Sequence, residues 1–93
     1  MSDFALHLRE LAAPWPRGEK VQIAISRAAR QADLAYWRAY DIWYRKARRV
    51  EPAEQQAIAD ALKKKRQQET RNELHELRTR IIRLEALLAR GEA

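Results

Sequence analysis

The sequence predicts an all-α protein: a compact three-helix core followed by a long C-terminal helix with a short coiled-coil seam. Three observations carry this reading. Apolar residues recur at helical spacing, as in Phe4, Leu8 and Leu11 or in Val21, Ile25, Ala28, Ala29 and Ala32. The two glycines and three prolines of the 93 residues all fall where helices should stop or start. From Ala53 to Arg90 neither residue type interrupts the chain.

Taken in order, Ser2 and Asp3 are N-cap residue types for a first helix over about residues 3–12. Pro14-Trp15-Pro16-Arg17-Gly18 ends that helix, because proline lacks the N–H and clashes with the preceding turn. Trp15, held between two prolines, is expected to fold back onto the core as an anchor. A second helix runs from about Glu19 to Ala32, and Asp33-Leu34 forms a turn. A third runs from about Ala35 to Val50. It ends at Glu51-Pro52, where proline suits the first position of the next helix.

The fourth helix, stopped by Gly91, would be about 55 Å long at 1.5 Å per residue. A globule of this size has a radius of gyration of about 12 Å. The helix must therefore project, fold back as a hairpin or pair with another chain. Leu74, Leu77, Ile81, Leu84 and Leu88 follow the 3-4-3-4 spacing of a two-heptad seam. Upstream the seam would need Gln67 and Thr70, and it lapses. Lys63 to Glu73 is polar on every face, as in a solvated connecting helix. The organisation expected is a core over residues 1–50 and a dimerisation element over residues 51–93, giving a homodimer.

Composition narrows the function. Apolar residues make up 46% of the chain, enough for one small helical core, and 34% are charged, which implies long solvated faces. The chain has no cysteine, which excludes disulfides and thiolate chemistry. No apolar run of about 18 residues can span a membrane. Asp3, His7, Arg9 and Glu10 interrupt any signal-peptide pattern, so the expected location is cytoplasmic. A pI near 10.2 favours a polyanionic partner, nucleic acid before acidic protein or anionic membrane. The excess is local. Residues 17–50 hold nine bases against three acids, a net +6, while residues 1–16 net −1 and residues 51–93 net +1.

The same segment has the spacing of two short helices that touch. Ala28, Ala29 and Ala32 put small side chains where the second and third helices cross, and Leu34, Ala39 and Ile42 fall on the inward side of the third. Asp33 stands where such turns often use glycine, and aspartate tolerates the left-handed conformation better than most residues. The stretch Ala28-Ala29 … Leu34-Ala35-Tyr36-Trp37-Arg38-Ala39-Tyr40 resembles the helix-turn-helix superfamily of bacterial and phage transcription regulators, over about 20 residues. The resemblance implies that the third helix, about residues 35–49, enters the major groove of double-stranded DNA. Tyr36, Trp37 and Tyr40 then face the groove, and Arg38, near its flank, is the candidate for a bidentate guanine contact. Lys20, Arg27 and Arg30, at and on the second helix, reach phosphates, and Arg45, Lys46, Arg48 and Arg49 in the later turns of the third continue along the backbone. Asp41 is expected to hold Arg45 at i+4.

The function expected is that of a small dimeric, sequence-specific regulator, a repressor or autoregulator of the kind common in phages and mobile elements. Two alternatives stand beside it. Tyr36, Trp37, Tyr40, Trp43 and Tyr44 are five aromatics within nine residues; Trp43 is expected in the core, and exposed Tyr and Trp are typical of protein-binding hot spots, so a protein-interaction module using Tyr36, Trp37, Tyr40 and Tyr44 or the long helix is the first. Non-specific nucleic-acid binding is the second. No enzyme is expected. His7 and His75 lie on different helices without a cysteine or serine partner, no glycine-rich phosphate loop exists, and no cofactor, metal or small-molecule ligand is implied.

Overall fold

A computed structural model describes residues 3–91, all helical or connecting. Four helices follow in order: α1 Phe4–Ala12, α2 Val21–Gln31, α3 Tyr36–Trp43 and α4 Pro52–Ala89. Asp3 is the N-cap of α1, its carboxylate accepting from the backbone N–H groups of Ala5 and Leu6 at 3.1 and 3.3 Å. Ser2 lies outside the described residues.

The core forms where the four helices meet. Leu8, Leu11 and Ala12 of α1 pack with Ala24, Ile25, Ala28 and Ala29 of α2, with Ala39, Ile42 and Trp43 of α3, and with Ile58 and Leu62 of α4. The alanines let α1, α2 and α3 approach closely. Trp43 fills the space this leaves and is 2% exposed. Trp15 packs edge-on against Trp43 at 5.8 Å and donates from Nε1 to the Glu19 carbonyl at 3.1 Å. It therefore anchors the Pro14–Gly18 segment while one face stays in water.

α4 is one unbroken helix of 38 residues, so the molecule measures 65 × 30 × 21 Å with a radius of gyration of 18.9 Å. Its beginning belongs to the core: Ile58 and Leu62 are buried, so the packed unit runs past residue 50. The next turn is not the wholly solvated stretch that its polarity suggested. Lys65 Nζ donates to the carbonyls of Glu10 and Ala13, which close the end of α1. Arg66 grips the Glu10 carboxylate through Nε at 3.1 Å and Nη2 at 2.9 Å. Both cations sit at the negative end of the α1 dipole. Beyond Arg66 every described residue of the helix is exposed, and Gly91, at φ +73°, closes it as expected.

This division predicts a contrast. Ile58→Ala should cost about 2–4 kcal/mol, as removal of a buried aliphatic side chain does. Leu84→Ala should change the stability of dilute protein by less than about 0.5 kcal/mol. Denaturant unfolding at a concentration low enough to dissociate any oligomer measures both.

Candidate nucleic-acid interface

The turn between α2 and α3 is built by one residue. Asp33 takes φ +56°, the Leu34 N–H returns to the Ala29 carbonyl at 2.8 Å, and the Asp33 N–H to Arg30 at 3.3 Å. This is a Schellman closure with aspartate in the left-handed position. It turns the chain sharply after Ala32, and the buried Ala28, Ala29, Ala32 and Ala39 hold the two helices together.

α3 is shorter than its sequence suggested, eight residues in place of about sixteen. A second Schellman closure stops it. Arg45 takes φ +57°, the Lys46 N–H bonds the Asp41 carbonyl at 2.7 Å, and the Arg45 N–H bonds Ile42 at 3.1 Å. A left-handed arginine costs about 1 kcal/mol relative to glycine. It is held partly by its ion pair to Asp3 at 2.6 Å. That pair corrects the expected i+4 bridge from Asp41, whose carbonyl rather than carboxylate closes the helix. Arg48 and Arg49, expected on the third helix, thus lie in the loop between α3 and α4.

The aromatic residues sort by depth. Trp43 is buried; Tyr36 and Tyr40 are half-buried; Trp37 is 71% exposed. Tyr36, Trp37 and Tyr40 touch edge to face, with centroids 5.1 Å apart for Tyr36–Trp37 and 5.5 Å for Trp37–Tyr40. Tyr44 continues the row at 4.9 Å from Tyr40, and the Lys46 ammonium sits 5.3 Å from the Tyr40 ring. The outer face of α3 is therefore an ordered aromatic ridge with a cation at its end.

The cations divide into two groups. Arg27 donates to the Ala12 carbonyl at 2.5 Å and to the Glu19 carboxylate, tying α2 to the segment after α1. Arg38, the expected guanine reader, points instead at the start of α4. Its Nε and Nη2 bind the two oxygens of Glu54 at 2.5 and 2.8 Å, and Nη2 also reaches the Arg49 carbonyl. Arg49 lies 3.7 Å from Glu51 and is largely exposed. Lys20, Arg30, Lys46 and Arg48 are exposed and have no carboxylate within 4.0 Å among the described residues. Lys46, expected with Arg45, Arg48 and Arg49 to follow the phosphate backbone, is brought back beside Tyr40 by the early end of α3. The spacing of a longer helix did not point to that contact.

Glu54 has a further task. It is the third residue of α4 and accepts the backbone N–H of Glu51 at 2.9 Å, completing a capping box. Hydrogen bonds from Arg38 above all, with the Glu51 N–H, hold its carboxyl below the usual glutamate range despite partial burial. The same contact raises the Arg38 guanidinium. Elsewhere, no group of three His, Cys, Asp or Glu residues among those described is placed to hold a metal. His7 stacks edge-on with Phe4 at 5.4 Å, and His75 is exposed on α4. No described helix is long and apolar enough to cross a membrane. No protein-family model, curated protein or solved structure matches the chain.

Since the folded state depresses the Glu54 carboxyl, it binds that proton more weakly than the unfolded chain does. Its stabilisation is therefore complete above the ordinary glutamate pKa of about 4.3 and is lost as pH falls through the lower folded value. Glu54→Gln should cost about 1–2 kcal/mol at pH 7 and flatten the acid limb of stability. Urea unfolding of both proteins from neutral to acid pH measures this, and an unchanged acid limb would remove Glu54 from that role.

Proposed function

We propose that α2 and α3 dock this protein on double-stranded DNA, with the outer face of α3 in the major groove, as a small dimeric regulator that selects its site. The observation that carries the reading is the tight left-handed turn at Asp33. It joins an 11-residue and an 8-residue helix and leaves the Trp37 side of α3 uncovered. A helix presented in this way, crossed by a partner helix, fits the groove. Lys20 at the start of α2, Arg30 near its end, and Lys46, Arg48 and Arg49 after α3 supply phosphate contacts. Arg45, shared with Asp3, is a lesser one.

Arg38 and Arg27 have a different role in this proposal. Arg38 fixes the loop after α3 against α4, and Arg27 fixes the segment before α2, so both position the phosphate contacts. Base selection then falls on Trp37, Tyr36 and Tyr40. Tyrosine and tryptophan edges meet thymine methyls and sugars, and they carry fewer directed hydrogen bonds than arginine does. Modest sequence selectivity with strong salt dependence follows. The 71% exposure of Trp37 also favours a second reading, in which the ridge binds another protein.

Selection from a random duplex pool separates these readings. The groove reading expects enrichment of a short motif. It also expects an affinity that falls steeply with salt, and Lys46→Ala and Arg48→Ala variants that each reduce the salt slope by about 1 across all sequences. Trp37→Ala should instead relax the preferred motif. A pool that returns unenriched, with binding insensitive to salt, overturns the proposal.

A further inference from the structure

The second half of α4 carries the longest apolar surface that the described fold leaves uncovered: Leu74, Leu77, Ile81, Leu84 and Leu88 are 44–71% exposed. We propose that a second copy of this chain covers it as a parallel, in-register, two-stranded coiled coil over residues 73–88. This rests on the dimeric part of the reading above and adds its orientation.

The charges flanking the seam set that orientation. With Leu74, Ile81 and Leu88 at a and Leu77 and Leu84 at d, positions g are Glu73, Arg80 and the apolar Leu87, and positions e are Arg78 and Glu85. In a parallel pair each g faces the e five residues on in the other helix. Glu73 then meets Arg78 of the second copy, and Arg80 meets its Glu85. Symmetry doubles both, giving four opposite-charge pairs and no like-charge pair, around five apolar layers. Leucine at both d positions and isoleucine at the central a position suit two strands.

Antiparallel pairing does worse in either available register. Setting Leu74 against Leu84 places Arg78 against Arg78 and Arg80 against Arg80. Setting Leu77 against Leu88 avoids this, but it places Leu74 against Gly91 and Arg80 against Leu87.

The intramolecular contacts agree with where the coil begins. Extended one heptad upstream, it would need Gln67 and Thr70 in the seam and would set Arg66 against Arg71. Arg66 is instead held by Glu10 of its own chain. At 3.6 residues per turn the seam also lies about 100° around α4 from the stripe of Ile58 and Leu62, so a second helix can approach without meeting the core. A parallel pair keeps both α2–α3 units at one end, as adjacent half-sites about 34 Å apart require. An antiparallel pair would set them on the order of 60 Å apart along the axis.

Sedimentation equilibrium of the full chain tests this with charge swaps on exposed positions, circular dichroism confirming unchanged helix. The wild-type chain should dimerise. Glu73→Arg and Arg78→Glu should each weaken the dimer about tenfold, and the double swap should restore it. In the antiparallel registers position 78 does not face position 73, so the double swap restores nothing. The chain has no cysteine of its own, so Leu77→Cys should cross-link to itself on oxidation. A monomer at every concentration overturns the proposal. So does a silent Glu73→Arg, or a Leu77→Cys that cross-links only to Leu88→Cys. Affinity for a duplex bearing one half-site, measured alongside, stands apart: a monomer that still selects that half-site loses this inference and keeps the groove reading.

Discussion

The Glu54 carboxylate is the contact on which the geometry of this molecule turns. It lies one turn into α4, yet it accepts from the α4 N-cap and from Arg38 in the middle of α3. One side chain thus fixes where α4 starts and how α3 lies against it. The energy of the fold comes from elsewhere. Burying Ile58 and Leu62 supplies about 1.5–3 kcal/mol each, whereas a partly exposed ion pair supplies about 1 kcal/mol or less. The apolar contacts would tolerate some rotation of α4 about its own axis. A two-point grip on a guanidinium tolerates little, and it decides which α4 residues face the core.

The same distinction explains what was legible in the sequence. Local chemistry was legible. Asp3 as a cap, Asp33 in the left-handed turn, Pro52 opening α4 and Gly91 closing it each act through their own backbone or a neighbour within a turn. Inward faces were legible too, because Leu8, Ile25, Ala28 and Ile42 repeat at the helical period. The early end of α3 was not, because arginine is a poor signal for a left-handed residue and its partner Asp3 is 42 positions away. Arg38 misled for the same reason. Its place on α3 is compatible with a groove, and only the arrival of Glu54 from the next helix ties it, partly exposed, to the fold. Lys65 and Arg66 looked like part of a solvated basic run until α1 came to rest beside them.

Pairing of charges within the chain also reshapes the basic excess. Asp3, Glu10, Glu19, Glu51 and Glu54 all face cations. The partners they neutralise, Arg27, Arg38, Arg45, Arg49 and Arg66, cluster where helix ends meet. Lys20, Arg30, Lys46 and Arg48 lie outside this network, on α2 and on the loop after α3. An oppositely charged surface approaching the α2–α3 face meets an uncompensated field, and it breaks no ion pair to reach these four groups. The positive charge that matters for a polyanion is therefore smaller than the net +6 of residues 17–50, and better defined in position.

The 38 residues of α4 serve two different surfaces. Its first three turns turn one stripe to the core, and its last four turns carry another, about 100° away around the axis. No single apolar stripe runs the length of the helix, which is why its middle reads as polar on every face. That polar middle is what the proposed change of partner, from the core to a second copy, would require. An apolar stripe continued through Gln67 and Thr70 would let the seam slide toward the core or let the core extend along the helix. Arg66, bound back to Glu10, marks the boundary from the core side, and the lapse of the heptad marks it from the other. Between Leu62 and Leu74 about 18 Å of helix separates the two surfaces, and in the dimer proposed above that rigid stretch would carry a contact at one end to the placement of α3 at the other.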